Sequence, residues 1–368
     1  MFGAGLYIHI PFCEKRCNYC DFFSSTDKES MDRYVDEVAN EISLVSKRFS
    51  TKIETIYFGG GTPSLLTLDH LDKIFSAIHS SFTVESKETT IEVNPNSSGN
   101  LSEYKKFGID LVSIGIQTLD PFLLKRIGRL HTPEEGIDAL SRARDAFDNV
   151  SADLIIGLDR KQDVERDVYS IAPFCTHVSG YMLSVPKKSQ IEKMIKAKEF
   201  FPATDDQTVD QYDILTNTCR KLGFYRYETS NFARLGKEGI HNGNYWAMHP
   251  YIGIGPSAHS YFNGIRYYNE NDLKKYLSGD HSGNCKEKIE RKYSVDDEIT
   301  ETIMLSLRTA KGIDIKAFNT KYNSDFLKKY EKGIAAVKNY VSVTKDRLYI
   351  LPKYFSVQNQ VILSILTH

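Results

Sequence analysis

The chain has 368 residues, 41% apolar and 26% charged, with a formal net charge of -1 at pH 7. That composition supports a sizeable buried core and excludes disordered and fibrous classes, and the near-neutral balance argues against a phosphate-tracking surface, so no nucleic-acid partner is expected. No apolar run approaches the ~20 residues of a membrane span, and "MFGAGLYIHIPFC" has neither the basic start nor the small-residue cleavage site of a secretory leader, so the expected compartment is the cytoplasm.

Six strand-like runs follow, each succeeded by a stretch of helical period. "GLYIHI" (5–10) precedes "MDRYVDEVANEISLVSKRF" (31–49), and "KIETIYFG" (52–59) precedes "LDHLDKIFSAIHSSF" (68–82). "TTIEVNP" (89–95) precedes "LSEYKKFG" (101–108), and "IDLVSIGIQ" (109–117) precedes "PFLLKRIG" (121–128) and "PEEGIDALSRARDAF" (133–147). "VSADLIIGL" (150–158) precedes "KQDVERDVYSIAPF" (161–174), and "THVSGYMLSV" (176–185) precedes a helical stretch around 205–222.

Repeated β–α units imply a parallel sheet. The distinctive residues gather at the C-terminal ends of the runs: Cys13 after the first, Gly59 to Thr62 after the second, Glu92 to Pro95 near the third. Gln117 ends the fourth and Asp153 lies in the fifth. Chemistry collects at that end of a barrel, so the expected fold is α/β, a partial (β/α)6 TIM-like barrel. It is expected to span 1–285, with a loop-rich extension over 225–285 that is dense in Gly, Asn and Tyr. A smaller, mostly helical C-terminal domain is expected over 286–368, ending in a short hairpin and a last helix.

Three of the six cysteines, Cys13, Cys17 and Cys20, form C-x3-C-x2-C; Cys175, Cys219 and Cys285 are scattered. So few cysteines cannot form a disulfide framework, and the pattern suits a reducing compartment with one metal site. Thiolates on one tight loop converge on one soft metal centre or remain free thiols. Together with His9 they could make a Cys3His zinc site, although structural zinc usually joins two separate ligand hairpins and no second one occurs. A ferredoxin-type cluster would need a fourth cysteine nearby. Three ligands on a four-iron cluster would leave one iron open, as catalytic metal sites do.

"PFCEKRCNYCDF" resembles the signature of radical S-adenosylmethionine (SAM) proteins, and Tyr19 before the last cysteine fits it. The resemblance implies a [4Fe–4S] cluster on Cys13, Cys17 and Cys20, with SAM on the open iron and reductive cleavage to a 5'-deoxyadenosyl radical. "YFGGGTPS", "EVNP", "SIGIQTLD", "IGRLHT", "ADLIIGL", "YETSNFA", "HNGNYW" and "LSLRTAKGID" narrow the likeness to the oxygen-independent coproporphyrinogen III oxidase family. Carried over by position, Tyr7, Gly60, Gly61, Thr62, Glu92, Gln117, Arg129 and Asp153 would line the SAM site, with Met182 and "GPSAHS" (255–260) at its border.

The family has an oxidase branch and a haem chaperone branch. The oxidase carries an extra cysteine two residues after the last cluster cysteine, whereas Cys20 is followed by Asp21 and Phe22. "HNGNYW" matches the chaperones' H-N-x-x-Y-W motif and makes His241 the expected haem contact, with His249 and His259 as substitutes. The resemblance therefore implies haem or porphyrin as ligand, haem-receiving proteins as partners, and an electron donor such as a flavodoxin or ferredoxin. The oxidase reading and the zinc-stabilised binding protein stand as alternatives.

Overall fold

A computed structural model describes residues 3–99, 101–279 and 287–367; Cys285 lies outside the described residues. The backbone runs through β1 (Ala4–Ile10), α1 (Met31–Arg48), β2 (Lys52–Gly60), α2 (Leu68–Ser81), β3 (Thr83–Val93) and β4 (Leu111–Gln117). It continues through α3 (Pro121–Arg126), α4 (Pro133–Ala146), β5 (Asn149–Ile156), α5 (Val164–Ile171), β6 (His177–Met182), α6 (Gln190–Lys196) and α7 (Asp205–Lys221). The six expected strands are present and run parallel in chain order from β1 to β6. The sheet is open, a partial barrel of the expected α/β class.

Local chemistry explains the helices. On α1, Met31, Tyr34, Val35, Val38 and Ile42 are buried at helical spacing. The starts of α2, α4 and α7 are closed by capping boxes, Thr67 with His70, Thr132 with Glu135, and Thr204 with Gln207. Residues 101–107, expected as a helix, form a 3-10 segment. Cys175 and Cys219 are buried in the core as free thiols. Among the described residues, no helix is long and apolar enough to cross a membrane.

The extension expected as loops holds more order than its composition suggests. It contains β7 (Tyr225–Arg226), β8 (Asn231–Ala233), α8 (Ile240–Trp246), β9 (Tyr251–Ile254), β10 (His259–Phe262) and β11 (Ile265–Asn269). Strand β9 pairs parallel with β1, and β8 pairs antiparallel with β6, so the extension lines both sides of the six strands. Strand β12 (Glu287–Lys292) pairs with β11, so the boundary expected at 286 falls just before a strand of the large sheet. Beyond it a second core forms around Ile303, Leu307, Phe326, Leu348 and Ile365. It carries a small sheet of β13 (Ile313–Asp314), β14 (Val341–Val343) and β15 (Arg347–Ile350), the last two forming the expected hairpin.

Helix α8 exists for tertiary reasons. "IHNGNYW" is poor in helix formers, yet Glu88 in the middle of β3 accepts the backbone N–H of Ile240 at 2.7 Å and of His241 at 2.8 Å. His241 is buried, its Nδ1 bonded to Thr55 Oγ1 and its Nε2 to the Tyr245 hydroxyl, each at 2.8 Å. A Cβ on Gly5 would stand 3.2 Å from the His241 ring. Helix α8 thus plugs the floor of the barrel, at the strand ends opposite the cysteines. Both ring nitrogens of His241, the expected haem contact, are thus engaged inside the fold.

Removing this ring leaves two buried hydroxyls without their partner, and His241→Ala is expected to cost about 3 kcal/mol, read as a lowered thermal midpoint. Burial holds the His241 ring neutral down to about 3. The unfolded ring takes its proton near ~6.5, so this site's contribution is complete above that pH and is lost as pH falls below it. In His241→Asn the acid-side slope of stability against pH should flatten by up to about one proton; an unchanged slope and midpoint would remove His241 from the floor.

Candidate functional site

At the other end of the strands the chain leaves β1 into the cysteine loop. The Cys13 N–H donates to Ser25 O at 2.9 Å and the Ser25 N–H to Pro11 O at 2.6 Å, which closes the loop at its base. Asn18 pins its middle: its N–H donates to Ile127 O, its Nδ2 to Arg126 O, and its carbonyl accepts the Ile191 N–H that opens α6. Gly128, at φ +82°, lies so close that a Cβ would stand 3.3 Å from Asn18.

The three cysteines share one cavity of about 420 Å³. Gly60, Gly61, Thr62, Glu92, Gln117, Arg129 and Asp153 line it with them, as does Met182. Gly61 is required by close approach, because a Cβ there would meet Phe12 O at 2.7 Å. Thr62 Oγ1 donates to Cys13 Sγ at 3.6 Å and accepts from Asn94 Nδ2 at 2.9 Å. Arg129 donates through Nη2 to Asn94 Oδ1 at 2.9 Å and to Gly115 O at 2.6 Å, and its Nη1 lies 3.9 Å from Cys17 Sγ. Its Nε is buried without a protein partner.

Two carboxyls face this guanidinium across the cavity. Glu92 accepts the Tyr57 hydroxyl at 2.8 Å and the Gly60 N–H at 3.1 Å. Burial pushes its carboxyl up to about 7; the Tyr57 hydrogen bond opposes the rise and the Asp153 charge adds to it. Asp153 is also raised by burial, against hydrogen bonds from Ser179, Ser113 and Ser151, with Ser113 Oγ at 2.9 Å.

The donor set fits an iron–sulfur cluster. Burial raises the Cys13 thiol and pushes Cys20 up to about 11, so these sulfurs become thiolates only against compensating positive charge, which iron provides. Among the described residues, no three His, Cys, Asp or Glu side chains stand close enough to share a single ion. His9, the fourth ligand of the zinc alternative, is bonded at Nδ1 to the Tyr7 hydroxyl (3.1 Å) and at Nε2 to Phe23 O (2.8 Å). The arrangement offers carboxylates for an ammonium and ribose hydroxyls, and a cation for a carboxylate.

Some expected residues sit elsewhere. Tyr7 lies behind the wall, its ring 6.1 Å from that of Tyr57, and Tyr57 faces the cavity in its place. The period-two alternation of Thr55, Tyr57 and Gly59 on β2 was the signal for it. Asn94, Ser113, Gly115 and Tyr181 also line the wall. The "GPSAHS" segment does not reach it; Gly255 instead donates its N–H to Glu41. His259 pairs with Glu290 at 3.2 Å, and His249 Nδ1 bonds Asn244 Oδ1 at 3.2 Å.

Residues 7–170 match the radical SAM superfamily and residues 293–343 match the HemN C-terminal domain. The heme chaperone HemW of Bacillus subtilis (strain 168) is 31% identical over 326 residues, 86% of each chain. HemW of Lactococcus lactis subsp. lactis (strain IL1403) is 32% identical over 371 residues, covering 96% of this chain and 95% of the relative. The solved structure of coproporphyrinogen III oxidase (HemN) from Escherichia coli, described as a radical SAM enzyme, superposes with a TM-score of 0.85. It is 20% identical and the match covers 99% of this chain and 90% of that one, a likeness of fold.

A ligand ammonium on Glu92 needs the ionised carboxylate. SAM binding near pH 6.5 should therefore release up to about one proton, measurable calorimetrically in buffers of different ionisation enthalpy. Glu92→Gln should abolish that release and weaken SAM by about 2 kcal/mol; release that survives the substitution would assign the proton to another group.

Proposed function

The chain belongs to the radical SAM superfamily and, within it, to the family of the HemW proteins, and from that premise we propose that it is a haem chaperone that binds haem and passes it to recipient proteins in the cytoplasm. Family membership brings a [4Fe–4S] cluster and SAM. One observation carries the site assignment: three cysteines of one loop open into a single cavity that also presents Arg129, Glu92 and Asp153, and among the described residues the cavity wall holds no further cysteine. Cys13, Cys17 and Cys20 would hold the cluster; the glycine turn, Thr62, Gln117, Arg129 and the two carboxyls would hold SAM. When bound, the cluster supplies the electron that cleaves SAM.

For haem, the cavity mouth presents Phe22, 64% exposed, and Tyr181, with Lys15 and Arg16 beside them. Aromatic faces suit a porphyrin plane and cations suit its propionates. The same basic pair on the cysteine loop gives an acidic flavodoxin or ferredoxin a place to dock within reach of the cluster. Ligation of haem iron by His241 would require two buried hydrogen bonds to break and α8 to leave the floor. The missing cysteine after Cys20 supports the chaperone reading over the oxidase.

Anaerobic reconstitution tests this. The protein should take up about four irons per chain, and Cys13→Ala should lose them. With SAM, reductant and coproporphyrinogen III, mass spectrometry should find no loss of carboxyl groups from the porphyrinogen; loss of two in step with 5'-deoxyadenosine would make the protein an oxidase. Haem titration should give His241→Ala the parent affinity despite its lower stability, while Lys15→Ala with Arg16→Ala weakens haem by about tenfold. The reverse pattern would move haem to α8.

A further inference from the structure

Barrel interiors are usually packed with Val, Ile and Leu. Here a line of aromatic rings descends from the cavity wall through the floor plug and out across the extension. The Tyr57 ring, on the wall, stacks on His241 with centroids 5.1 Å apart. His241 meets Tyr245 at 5.1 Å and Tyr245 meets Tyr251 at 4.7 Å. Tyr251 is 6.4 Å from Tyr261, and Tyr261 is 5.6 Å from Tyr293, which is half-buried. Each step is close to ring contact, and five of the six members are phenols, the side chains besides Trp and Cys that give up an electron most readily.

Contact alone would serve packing. The proton partners point further, because a buried phenol loses its electron only if its proton has somewhere to go. The Tyr57 hydroxyl donates to Glu92 and the Tyr245 hydroxyl bonds His241 Nε2, both at 2.8 Å. The Tyr293 hydroxyl donates to Glu301, which Arg266 also binds. Both ends of the line and the member beside the histidine therefore have a base in place.

We propose that Tyr57, His241, Tyr245, Tyr251, Tyr261 and Tyr293 form a relay that carries an oxidising equivalent from the cavity to the protein surface, protecting the cavity when its radical finds no substrate. The relay rests on the radical SAM reading above. Tyr57 gives its O–H hydrogen atom to the 5' carbon radical: the O–H bond breaks, a C–H bond of 5'-deoxyadenosine forms, and Tyr57 becomes a neutral tyrosyl. An electron from Tyr245 refills Tyr57, whose oxygen regains a proton from water in the cavity, while the Tyr245 proton moves to His241 Nε2. Tyr293 then refills Tyr245 with an electron that passes by way of the Tyr251 and Tyr261 rings, both of which keep their protons; the Tyr245 oxygen takes its proton back from His241 Nε2, and the hole is left on Tyr293 with its proton on Glu301. A thiol or other one-electron surface reductant, with that proton, restores the phenol, so one electron and one proton enter for each radical quenched.

The test uses the cluster-loaded protein with SAM and reductant, without haem, and a nitrone spin trap in solution. Trap adducts are mapped by peptide mass spectrometry and 5'-deoxyadenosine is counted in the same samples. Adduct on Tyr293 should accumulate in proportion to 5'-deoxyadenosine. In Tyr245→Phe it should fall by about tenfold, since phenylalanine raises the barrier of one step, with 5'-deoxyadenosine unchanged. Tyr261→Phe, which leaves the floor hydrogen bonds intact, should do the same, and Tyr268→Phe, off the line, should not. Adduct at Tyr293 that ignores both substitutions, or never forms while 5'-deoxyadenosine does, overturns the relay and leaves the radical SAM reading standing. Absence of 5'-deoxyadenosine with a full cluster overturns that reading and the relay with it.

Discussion

A buried guanidinium joins three segments that the chain keeps far apart. Arg129 comes from the turn after α3, yet it holds the backbone of β4 at Gly115, the side chain of Asn94 after β3, and stands beside Cys17 of the loop after β1. A buried cation is costly unless charge and hydrogen bonds surround it. Here carbonyl, amide and thiol groups supply part of that surrounding, and the unpartnered Nε leaves capacity for a ligand's carboxylate. The same constraint explains the opposing carboxyls: with Glu92 and Asp153 both raised by burial, the cavity awaits positive charge, which a sulfonium, an ammonium and iron would all bring.

The interior below the cavity is polar to its floor. Glu88, Thr55, His241 and Tyr245 form one closed set of hydrogen bonds. Half-satisfied, such a network would be worse than an aliphatic core; fully satisfied, it fixes one arrangement. Fixing the floor also fixes the rings that stack on it, so the same residues that close the barrel set the spacing from Tyr57 to Tyr245. Stability and a path for electrons are then two properties of one construction, and neither needs His241 as an iron ligand.

Fold and site were legible to different depths. The six parallel strands show in the sequence as short apolar-rich runs, each followed by a stretch of helical period, and the glycine turn and cysteine loop show because close approach and metal ligation admit few residue types. Tyr57 was readable from alternation along β2 once that strand was placed. The parallel pairing of β9 with β1 was not, since "YIGI" carries no mark of its partner, and α8 was not, since its helix is held by Glu88 from another strand rather than by its own propensity.

By itself the sequence determined the candidate ligand set that lines the cavity: three thiols on one loop, bare backbone at Gly60 and Gly61, and carboxyls at strand ends, because those chemistries depend on residue type and local spacing. Tertiary structure alone decided which of the remaining polar residues are reachable. His241, a ligand candidate by its motif, has both ring nitrogens bonded within the fold, Tyr57 stands on the wall where Tyr7 was expected, and His9 spends both nitrogens on neighbours. Availability of a side chain depends on what long-range packing brings against it, and that is information no short stretch of sequence contains.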